Sequence, residues 1–174
     1  MTDRPLSRKI ADLAERVIAE NRDAGRKVVL AESCTGGMVA AALTDVPGSS
    51  AVLDRGFVTY SNEAKFEMLG VPHDIVETFG AVSIACVWAM ATGAIRNSNA
   101  DVAVAVSGVA GPDGGSQLKP VGTVVFARAY RNQEGEPEGE LRHFDAPGGD
   151  NMADGARASI RDQATLCALE LLLP

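Results

Sequence analysis

The sequence predicts an α/β fold, a three-layer α/β/α sandwich around a mixed, mostly parallel sheet. Two short aliphatic runs, K-V-V-L-A (27–31) and D-V-A-V-A-V (101–106), are typical of strands that are buried on both faces. Segments with helical periodicity alternate with these runs, as they do around parallel sheets. Two later alternating segments, 120–130 and 141–146, predict a hairpin that adds an antiparallel element.

Size and composition indicate one folded unit. The chain has 174 residues, of which 46% are hydrophobic and 22% are charged. Such a chain can bury a full core, and its composition is close to that of average globular proteins. No linker or internal repeat divides it, so we expect a single domain over residues 1–174.

The first half of the chain is predicted to alternate helices with strands. The elements are an amphipathic helix over 4–24, a strand over 27–31, a helix from Gly36-Gly37 to Pro47-Gly48, a strand over 53–60 and a helix over 62–69. The second strand is rich in β-branched and aromatic residues. Ser61 or Asn62 can cap the helix that follows it, and Gly70 can close that helix.

The second half carries the longest apolar helix and the hairpin. The predicted elements are a short helix over 72–79, a helix from Ser83 through Ile95, strands over 101–106, 120–130 and 141–146, and a helix from Asp150 or Asn151 to Leu173. The acidic segment N-Q-E-G-E-P-E-G-E between the hairpin strands is expected to be a solvated tip.

Charge and composition exclude several classes of function. The formal net charge is −7, whereas a general nucleic-acid binder has a basic surface, so we expect no nucleic-acid partner. No apolar run approaches the ~20 residues of a membrane helix, and the N-terminus lacks the apolar core of a signal peptide. Three widely spaced cysteines fit free thiols in a reducing cytoplasm. Two histidines without a C-x-x-C pattern argue against a metal site.

Two glycine-rich loops follow the two buried strands. E-S-C-T-G-G follows 27–31, and S-G-V-A-G-P-D-G-G follows 101–106. Ligands of open α/β sheets bind at the carboxyl ends of strands, so we expect a ligand site between these loops. One such loop alone would be explained by a tight turn. A helix that starts at Gly36-Gly37 would direct free N–H groups at a phosphate or a developing oxyanion.

Side chains near these loops are the candidate reactive groups. Ser33 needs a base to accept its proton, and neither histidine has a motif-like setting, so a Ser-His-Asp triad has no support. Tyr60 ends a predicted strand and Lys65 lies one turn into the next helix, which places both near one crevice. A desolvated lysine can act as a base, but the sequence pattern alone favours a Lys65 that pairs with a carboxylate such as Glu63 or faces water. Cys34 fits a small buried residue better than a nucleophile.

Six motifs occur in the order seen in one known family. They are A-E-S-C-T-G-G (31–37), P-G-S-S (47–50), F-V-T-Y-S-N-E-A-K (57–65), G-A-V-S (80–83), S-G-V-A-G-P-D-G-G (107–115) and K-P-V-G-T-V (119–124). Together they resemble the CinA C-terminal domain family over roughly residues 8–172. The larger proteins of that family carry an additional N-terminal domain that resembles molybdopterin-binding proteins. We expect neither that domain nor its pyrophosphatase activity here.

The resemblance implies an enzyme of pyridine nucleotide (NAD) recycling. Stand-alone members of the family deamidate nicotinamide mononucleotide to nicotinate mononucleotide and ammonia, as serine amidohydrolases that need no metal or cofactor. Transferred by motif, Ser33 is the nucleophile, Lys65 is its general base, and Tyr60 orients the lysine or relays a proton. Ser50 stays open as a partner or a rival nucleophile. Family analogy also implies a homodimer that acts on a small-molecule nucleotide.

Substrate contacts are expected from the motif loops. The expected binding residues are Thr35, Gly36, Gly37, Ser50, Ser107, Gly108 and Gly111. Backbone amides of the first three would stabilise the oxyanion, and the loop of the last three would hold the 5′-phosphate or the ribose. Ser107 replaces the threonine of the family's T-G-x-A-G-P motif but keeps the hydroxyl. The alternative function is a non-catalytic nucleotide-binding regulatory module linked to competence or DNA damage.

Overall fold

A computed structural model describes residues 5–174, with side chains from residue 7 onward. Its helices are α1 (Pro5–Asp23), α2 (Met38–Thr44), α3 (Asn62–Leu69), α4 (His73–Phe79), α5 (Ile84–Arg96) and α6 (Ala156–Glu170). Its strands are β1 (Val28–Glu32), β2 (Leu53–Val58), β3 (Val102–Gly108), β4 (Thr123–Tyr130) and β5 (Glu138–His143). A 3₁₀ turn over Ser49–Ala51 precedes β2 and has no counterpart in the sequence prediction. The predicted start of the first helix, at Arg4, lies outside the described residues.

The strands of residues 5–174 form one sheet in the order β2-β1-β3-β4-β5. β1 pairs in parallel with both β2 and β3, whereas β4 is antiparallel to β3 and to β5. β5 therefore runs in the same direction as β1, β2 and β3. This arrangement confirms the predicted mixed, mostly parallel sheet with a late hairpin.

Helices cover both faces of the sheet. Side chains alternate along β1, so that Val28 and Leu30 pack in a core with α1, α2 and α6. Val29 and Ala31 point the other way, into a core formed with α3, α4 and α5. Because both faces are buried, the strand reads as a continuous aliphatic run rather than an alternating one. The predicted three-layer α/β/α architecture is confirmed.

The topology leaves a crevice at the carboxyl ends of β1 and β3. The chain leaves β1 for β2 through α2 on one face and then reaches β3 through α3, α4 and α5 on the other. β1 is therefore the strand at which the direction of winding reverses, the usual place for a ligand site in such sheets. The turn after β1 is anchored to β3, because the Ser33 N–H donates to the Val106 carbonyl at 3.0 Å.

The last strand begins earlier than the sequence predicted. β5 begins at Glu138 and ends at His143, whereas the alternating pattern indicated 141–146. Glu138 stands opposite Arg128 in the antiparallel register, and their side chains form an ion pair of 2.5 Å. The acidic segment was expected to form a solvated tip, but one of its carboxylates, that of Glu138, pairs with β4.

The last helix begins later than the sequence predicted. α6 starts at Ala156, and residues 151–155 form turns and a bend. Asn151, expected to begin the helix, uses its side chain to close a loop instead. Its Oδ1 accepts from the Ala146 N–H at 2.6 Å, and its Nδ2 donates to the Val121 carbonyl at 3.0 Å. Asn151, a residue type that often caps helices, thus forms a tertiary contact here and does not cap α6.

Helix α3 is fixed at both ends. Ser61 is its N-cap and accepts from the Ala64 N–H at 3.0 Å, and Gly70 closes it in the left-handed conformation. Its C-terminal turn lies directly against Gly93 of α5, where an added Cβ would be 2.0 Å from the Leu69 carbonyl oxygen. The absence of a side chain at Gly93 thus sets how closely α3 approaches α5.

We predict that Gly93→Ala lowers the free energy of unfolding by about 1–3 kcal/mol, because the new methyl group collides with backbone that cannot rotate away. The better helix propensity of alanine offsets about 1 kcal/mol of this cost. Urea unfolding followed by circular dichroism measures the change. The control is Thr92→Ala, an exposed neighbour on the same helix, which should stay within about 0.5 kcal/mol of the parent. Equal stability of Gly93→Ala and Thr92→Ala would contradict this account.

Candidate active site

Ser33 and Lys65 meet at the end of β1. Lys65 lies on the first turn of α3, and its Nζ is 3.1 Å from Ser33 Oγ although the residues are 32 positions apart. The lysine is only 1% exposed and Ser33 is 8% exposed. The structure therefore brings together the predicted nucleophile and base and rules out the alternative of a solvent-facing lysine.

The surroundings of the Lys65 amine favour its neutral form. Burial lowers the pKa of Lys65 below its ordinary value of 10.5, since an ammonium loses hydration there. Nζ lies 2.8 Å from the Thr59 carbonyl and 3.4 Å from the Ser61 carbonyl. A neutral amine has two hydrogens, which these carbonyls can accept, and one lone pair. A neutral Lys65 could therefore accept the Ser33 proton with its lone pair, whereas the charged form donates to Ser33 Oγ at 3.1 Å.

Glu32 occupies the amides at the start of α2. Its side chain is 1% exposed and accepts from the N–H groups of Gly37, Val39 and Ala40 at 2.9–3.2 Å. The Gly36 N–H donates to the Ser33 carbonyl at 3.0 Å. The expectation that Gly36 and Gly37 offer free amides to an anion is therefore wrong, because a buried carboxylate and a turn already use them.

Two amides of the same turn have no acceptor within residues 5–174. They belong to Cys34 and Thr35, the two residues that follow Ser33. Cys34 is 5% exposed and Thr35 is completely buried. Unpaired buried N–H groups are rare in proteins, so their presence beside Ser33 indicates donors kept for a ligand.

A cavity of about 230 Å³ opens beside the Ser33–Lys65 pair. Its lining residues are Ser33, Cys34, Tyr60, Asn62, Lys65, Ala81, Val82, Ser107, Gly108, Ala110 and Arg157. The Ser107 hydroxyl donates to the Ala81 carbonyl at 2.8 Å, which ties the end of β3 to the segment before α5. Gly108 has no room for a side chain, because a Cβ would lie 2.9 Å from the Thr123 carbonyl oxygen.

Tyr60 and Arg157 form the solvent-facing side of the cavity. Tyr60 is 59% exposed, and its hydroxyl accepts from Arg157 Nη2 at 2.9 Å. Arg157 Nη1 donates to the Gly111 carbonyl at 2.5 Å, in the loop after β3. Tyr60 is thus bonded to the arginine, whereas its predicted partner was Lys65.

Several predicted binding residues do not line this cavity. They are Thr35, Gly36, Gly37 and Gly111, which belong to the same two loops as the lining residues Cys34 and Ala110. Ser50 lies in the turn before β2. Because Leu53 pairs with the first residue of β1, Ser50 is at the edge of the sheet opposite Ser33. Within one chain Ser50 is therefore neither a partner nor a rival of Ser33.

Sequence reasoning missed Arg157 and Arg161, both on α6. Arg161 donates to the carbonyls of Cys34 and Thr35, from 127 and 126 positions away. No local sequence motif can predict a contact between residues so far apart in the sequence. One signal was available: two arginines, four residues apart, stand in the first two turns of the helix. Cations are unfavourable beside a helix N-terminus, which indicates that both side chains have partners elsewhere.

Comparison with known proteins identifies the family. The CinA C-terminal domain model matches residues 10–174. The chain belongs to the CinA C-terminal domain family. A protein of Escherichia coli K12 named nicotinamide-nucleotide amidohydrolase PncC is 47% identical over 164 residues, which cover 94% of this CinA domain and 93% of the relative.

A longer relative and a solved structure extend this comparison. A Symbiobacterium thermophilum protein whose name links it to competence and damage is 58% identical over 120 residues, 69% of the CinA domain and 28% of that protein. The crystal structure of the competence/damage inducible protein CihA from Agrobacterium tumefaciens is 46% identical and has a TM-score of 0.82. That match covers 94% of the CinA domain and 93% of the other chain.

Cys34, the cysteine beside Ser33, is an unreactive thiol. Burial raises the pKa of Cys34 to about 12, so the thiol stays protonated at neutral pH. Cys34 packs in the core beneath α2 and also borders the cavity. The interpretation of Cys34 as a small buried residue of the CinA domain fits this position.

Two further findings concern residues 5–174 only. No group of three or more histidine, cysteine or acidic side chains in that range could hold a metal ion. None of its helices combines the length and the apolar character that crossing a membrane requires.

We predict that Lys65→Met changes how the stability of the CinA domain depends on pH. The pKa of Lys65 is lower in the folded chain than its ordinary 10.5, so between the two values the unfolded chain binds a proton that the folded chain does not. The parent therefore loses stability as the pH falls from 10.5 towards the folded pKa. Lys65→Met has no such loss, so its stability relative to the parent rises as the pH is lowered.

Urea unfolding of both proteins between about pH 7 and pH 10 measures this difference. Lys9→Met, which removes an exposed lysine from α1, is the matched control and should show no such trend. A stability difference between Lys65→Met and the parent that does not change with pH would show that the Lys65 pKa is not lowered.

Proposed function

We propose that this protein is a nicotinamide-nucleotide amidohydrolase, which hydrolyses the carboxamide of nicotinamide mononucleotide to nicotinate mononucleotide and ammonia. The observation that carries the proposal is the buried Lys65 amine 3.1 Å from the Ser33 hydroxyl, beside a cavity of about 230 Å³. The PncC relative, 47% identical over 94% of the chain, supports the substrate. The reaction serves pyridine nucleotide recycling.

In the acylation step, Ser33 Oγ attacks the carboxamide carbon while the Lys65 lone pair accepts the hydroxyl proton. The resulting tetrahedral intermediate carries negative charge on the former carbonyl oxygen. The amides of Cys34 and Thr35, which have no acceptor within the described chain, are the donors for this oxyanion. Lys65 then gives its proton to the carboxamide nitrogen, which lets the C–N bond break. Ammonia leaves, and the acyl group stays on Ser33 as an ester.

Water completes the reaction. A water molecule attacks the acyl-Ser33 carbon and gives a proton to the neutral Lys65 amine. The intermediate collapses, nicotinate mononucleotide leaves, and the proton returns from Lys65 to Ser33 Oγ. Each cycle thus consumes one water and releases one ammonia, without a metal or a cofactor.

Arg157 is the group that we assign to the anionic part of the substrate. It lines the same cavity as Ser33 and is exposed, so its charge is available to a phosphate at the mouth. Arginine binds phosphate through paired N–H donors. Tyr60, which shares a hydrogen bond with Arg157, is placed to orient the arginine, and the loop from Ser107 to Gly111 would hold the ribose.

We also infer that the protein is cytoplasmic and forms a homodimer. We infer that it binds a small nucleotide and does not bind nucleic acid. Three buried free cysteines suit a reducing compartment. The net charge of −7 opposes binding to a polyanion such as DNA. The dimer rests on family analogy, and light scattering of the purified protein tests it.

We predict that purified protein releases ammonia from nicotinamide mononucleotide, also with a chelator present, and that Ser33→Ala lowers kcat by about 10³-fold or more, because the nucleophile is lost. Ser50→Ala is the matched control. It removes the same hydroxyl at the opposite edge of the sheet and should keep the parent's activity. A coupled assay for ammonia, together with a check of folding by circular dichroism, measures both variants.

Three other outcomes have definite meanings. Full activity of Ser33→Ala would place the nucleophile elsewhere. Loss of activity in Ser50→Ala would return Ser50 to the site, through a second chain. Binding of the nucleotide without any ammonia release by the parent would favour the alternative, a non-catalytic regulatory module.

We predict that Arg157→Gln raises KM for nicotinamide mononucleotide about 10- to 100-fold. The reason is the loss of a charge-assisted hydrogen bond to the phosphate, which weakens substrate binding by about one to two powers of ten. The same change should alter catalysis on nicotinamide riboside much less, because the riboside lacks the phosphate. Steady-state kinetics on both substrates give the comparison.

Arg142→Gln is the control for this experiment, since Arg142 pairs with Glu140 on β5 and lies outside the cavity. Its kinetics should match those of the parent. An equal loss on the mononucleotide and the riboside by Arg157→Gln would assign the arginine to the Tyr60 contact rather than to phosphate.

A further inference from the structure

Arg161 binds the turn after β1, which carries Ser33, on the side that faces away from the cavity. Its Nε donates to the Cys34 carbonyl at 3.0 Å, and its Nη2 donates to the Thr35 carbonyl at 2.9 Å. Arg161 itself does not line the cavity, whereas Cys34 does. The guanidinium therefore binds two successive peptide groups on the side of the turn away from the substrate.

The direction of these bonds determines where the amides point. In a trans peptide, C=O and N–H point in opposite directions. Because the Cys34 carbonyl points to Arg161, the N–H of Thr35 points away from Arg161. The Ser33 carbonyl is fixed in a similar way by the Gly36 N–H, which orients the N–H of Cys34. These are the two amides that lack an acceptor in residues 5–174.

We propose that Arg161 is the positioning residue of the oxyanion site, which holds the Cys34 and Thr35 amides towards the carbonyl oxygen of the bound amide. The proposal rests on the amidohydrolase function above. Arg161 does not touch the substrate, so it acts through the turn. It fixes the Thr35 amide directly, through the Cys34 carbonyl. It acts on the Cys34 amide indirectly, because it also holds the Thr35–Gly36 peptide, whose N–H binds the Ser33 carbonyl. Such preorganisation before the substrate arrives is a large source of catalysis by polar groups.

Two further observations fit this role. Gly36, at φ +59°, leaves the space that the guanidinium fills, since a Cβ there would lie 3.3 Å from Arg161 Nη2. No carboxylate of the described chain forms an ion pair with Arg161. Among the described side chains no salt bridge neutralises its charge. The guanidinium therefore polarises the Cys34–Thr35 peptide so that the Thr35 N–H becomes a better donor, and it polarises the Thr35–Gly36 peptide, whose N–H binds the Ser33 carbonyl.

The test compares Arg161→Lys and Arg161→Ala with a matched arginine elsewhere. Arg131 makes the same kind of contact, since it donates to the carbonyls of Ala100, Ile95 and Ser98 at 2.7–3.0 Å. It follows β4 at the edge of the sheet opposite Ser33. Arg131→Lys thus reports the purely structural effect of losing a planar donor group.

We predict that Arg161→Lys lowers kcat for nicotinamide mononucleotide about 10- to 100-fold and leaves KM little changed. The loss is smaller than the ~10²–10³-fold effect of removing an oxyanion donor, because the amides are displaced rather than deleted. Guanidinium chloride, below its denaturing concentration, should restore part of the activity of Arg161→Ala. Arg131→Lys should lower the melting temperature without changing kcat, and added guanidinium should not raise its activity.

A second substrate separates this proposal from the proposed function. p-Nitrophenyl acetate can acetylate Ser33 with release of p-nitrophenolate, which is followed by absorbance, and it needs no nucleotide recognition. Ser33→Ala defines the background rate. If the parent does not consume the mononucleotide but is acetylated at Ser33 at a rate that falls in Arg161→Lys, the proposed substrate fails and the role of Arg161 stands.

Other results overturn the role of Arg161. They are kcat values of Arg161→Lys equal to those of Arg131→Lys, a loss that resides in KM alone, or the absence of guanidinium rescue in a folded Arg161→Ala. A parent that reacts with neither the mononucleotide nor the ester would overturn both proposals.

Discussion

The site depends on the burial of one amine. An isolated ammonium at the position of Lys65 Nζ would cost several kcal/mol in lost hydration, so the surrounding chain has to supply acceptors and favour the neutral form. Thr59 and Ser61 supply their carbonyls because β2 ends at Val58 and the backbone turns before α3. Helix α3 keeps this position because Gly93 lets α5 approach it closely. The packing of α3 against α5 on one face of the sheet thus holds the Lys65 amine beside Ser33 at the end of β1.

The backbone of the turn after β1 is divided between two charged side chains. Glu32 takes the amides that begin α2, and Arg161 takes the carbonyls on the opposite side. The amides of Cys34 and Thr35 remain, next to the hydroxyl that they would serve. Neither charged group needs to move during a reaction, so the polar environment is set when the chain folds.

Local patterns predicted most of the fold, and the family resemblance predicted the central pair of the site. Ser61 and Ser83 cap the helices that their sequences indicated, since capping depends on residues three positions apart. The pairing of Ser33 with Lys65 was implied by the family resemblance, whereas strand ends and helix starts placed only Tyr60 and Lys65 near one crevice. Partners from distant parts of the chain could not be foreseen: Arg161 reaches Cys34 across 127 positions, and Asn151 left its expected capping role for a loop contact. Such pairings arise only when the layers assemble.

The antiparallel hairpin has a practical meaning for work on this protein. β4 begins opposite Gly108, beside the cavity, and ends opposite Val102 at the far edge of the sheet. The segment between β4 and β5, residues 131–137, therefore projects from the end of the molecule remote from Ser33. A fluorophore, a peptide tag or a link to a sensor surface placed within residues 132–137 would leave the mouth of the cavity free for nucleotides to enter.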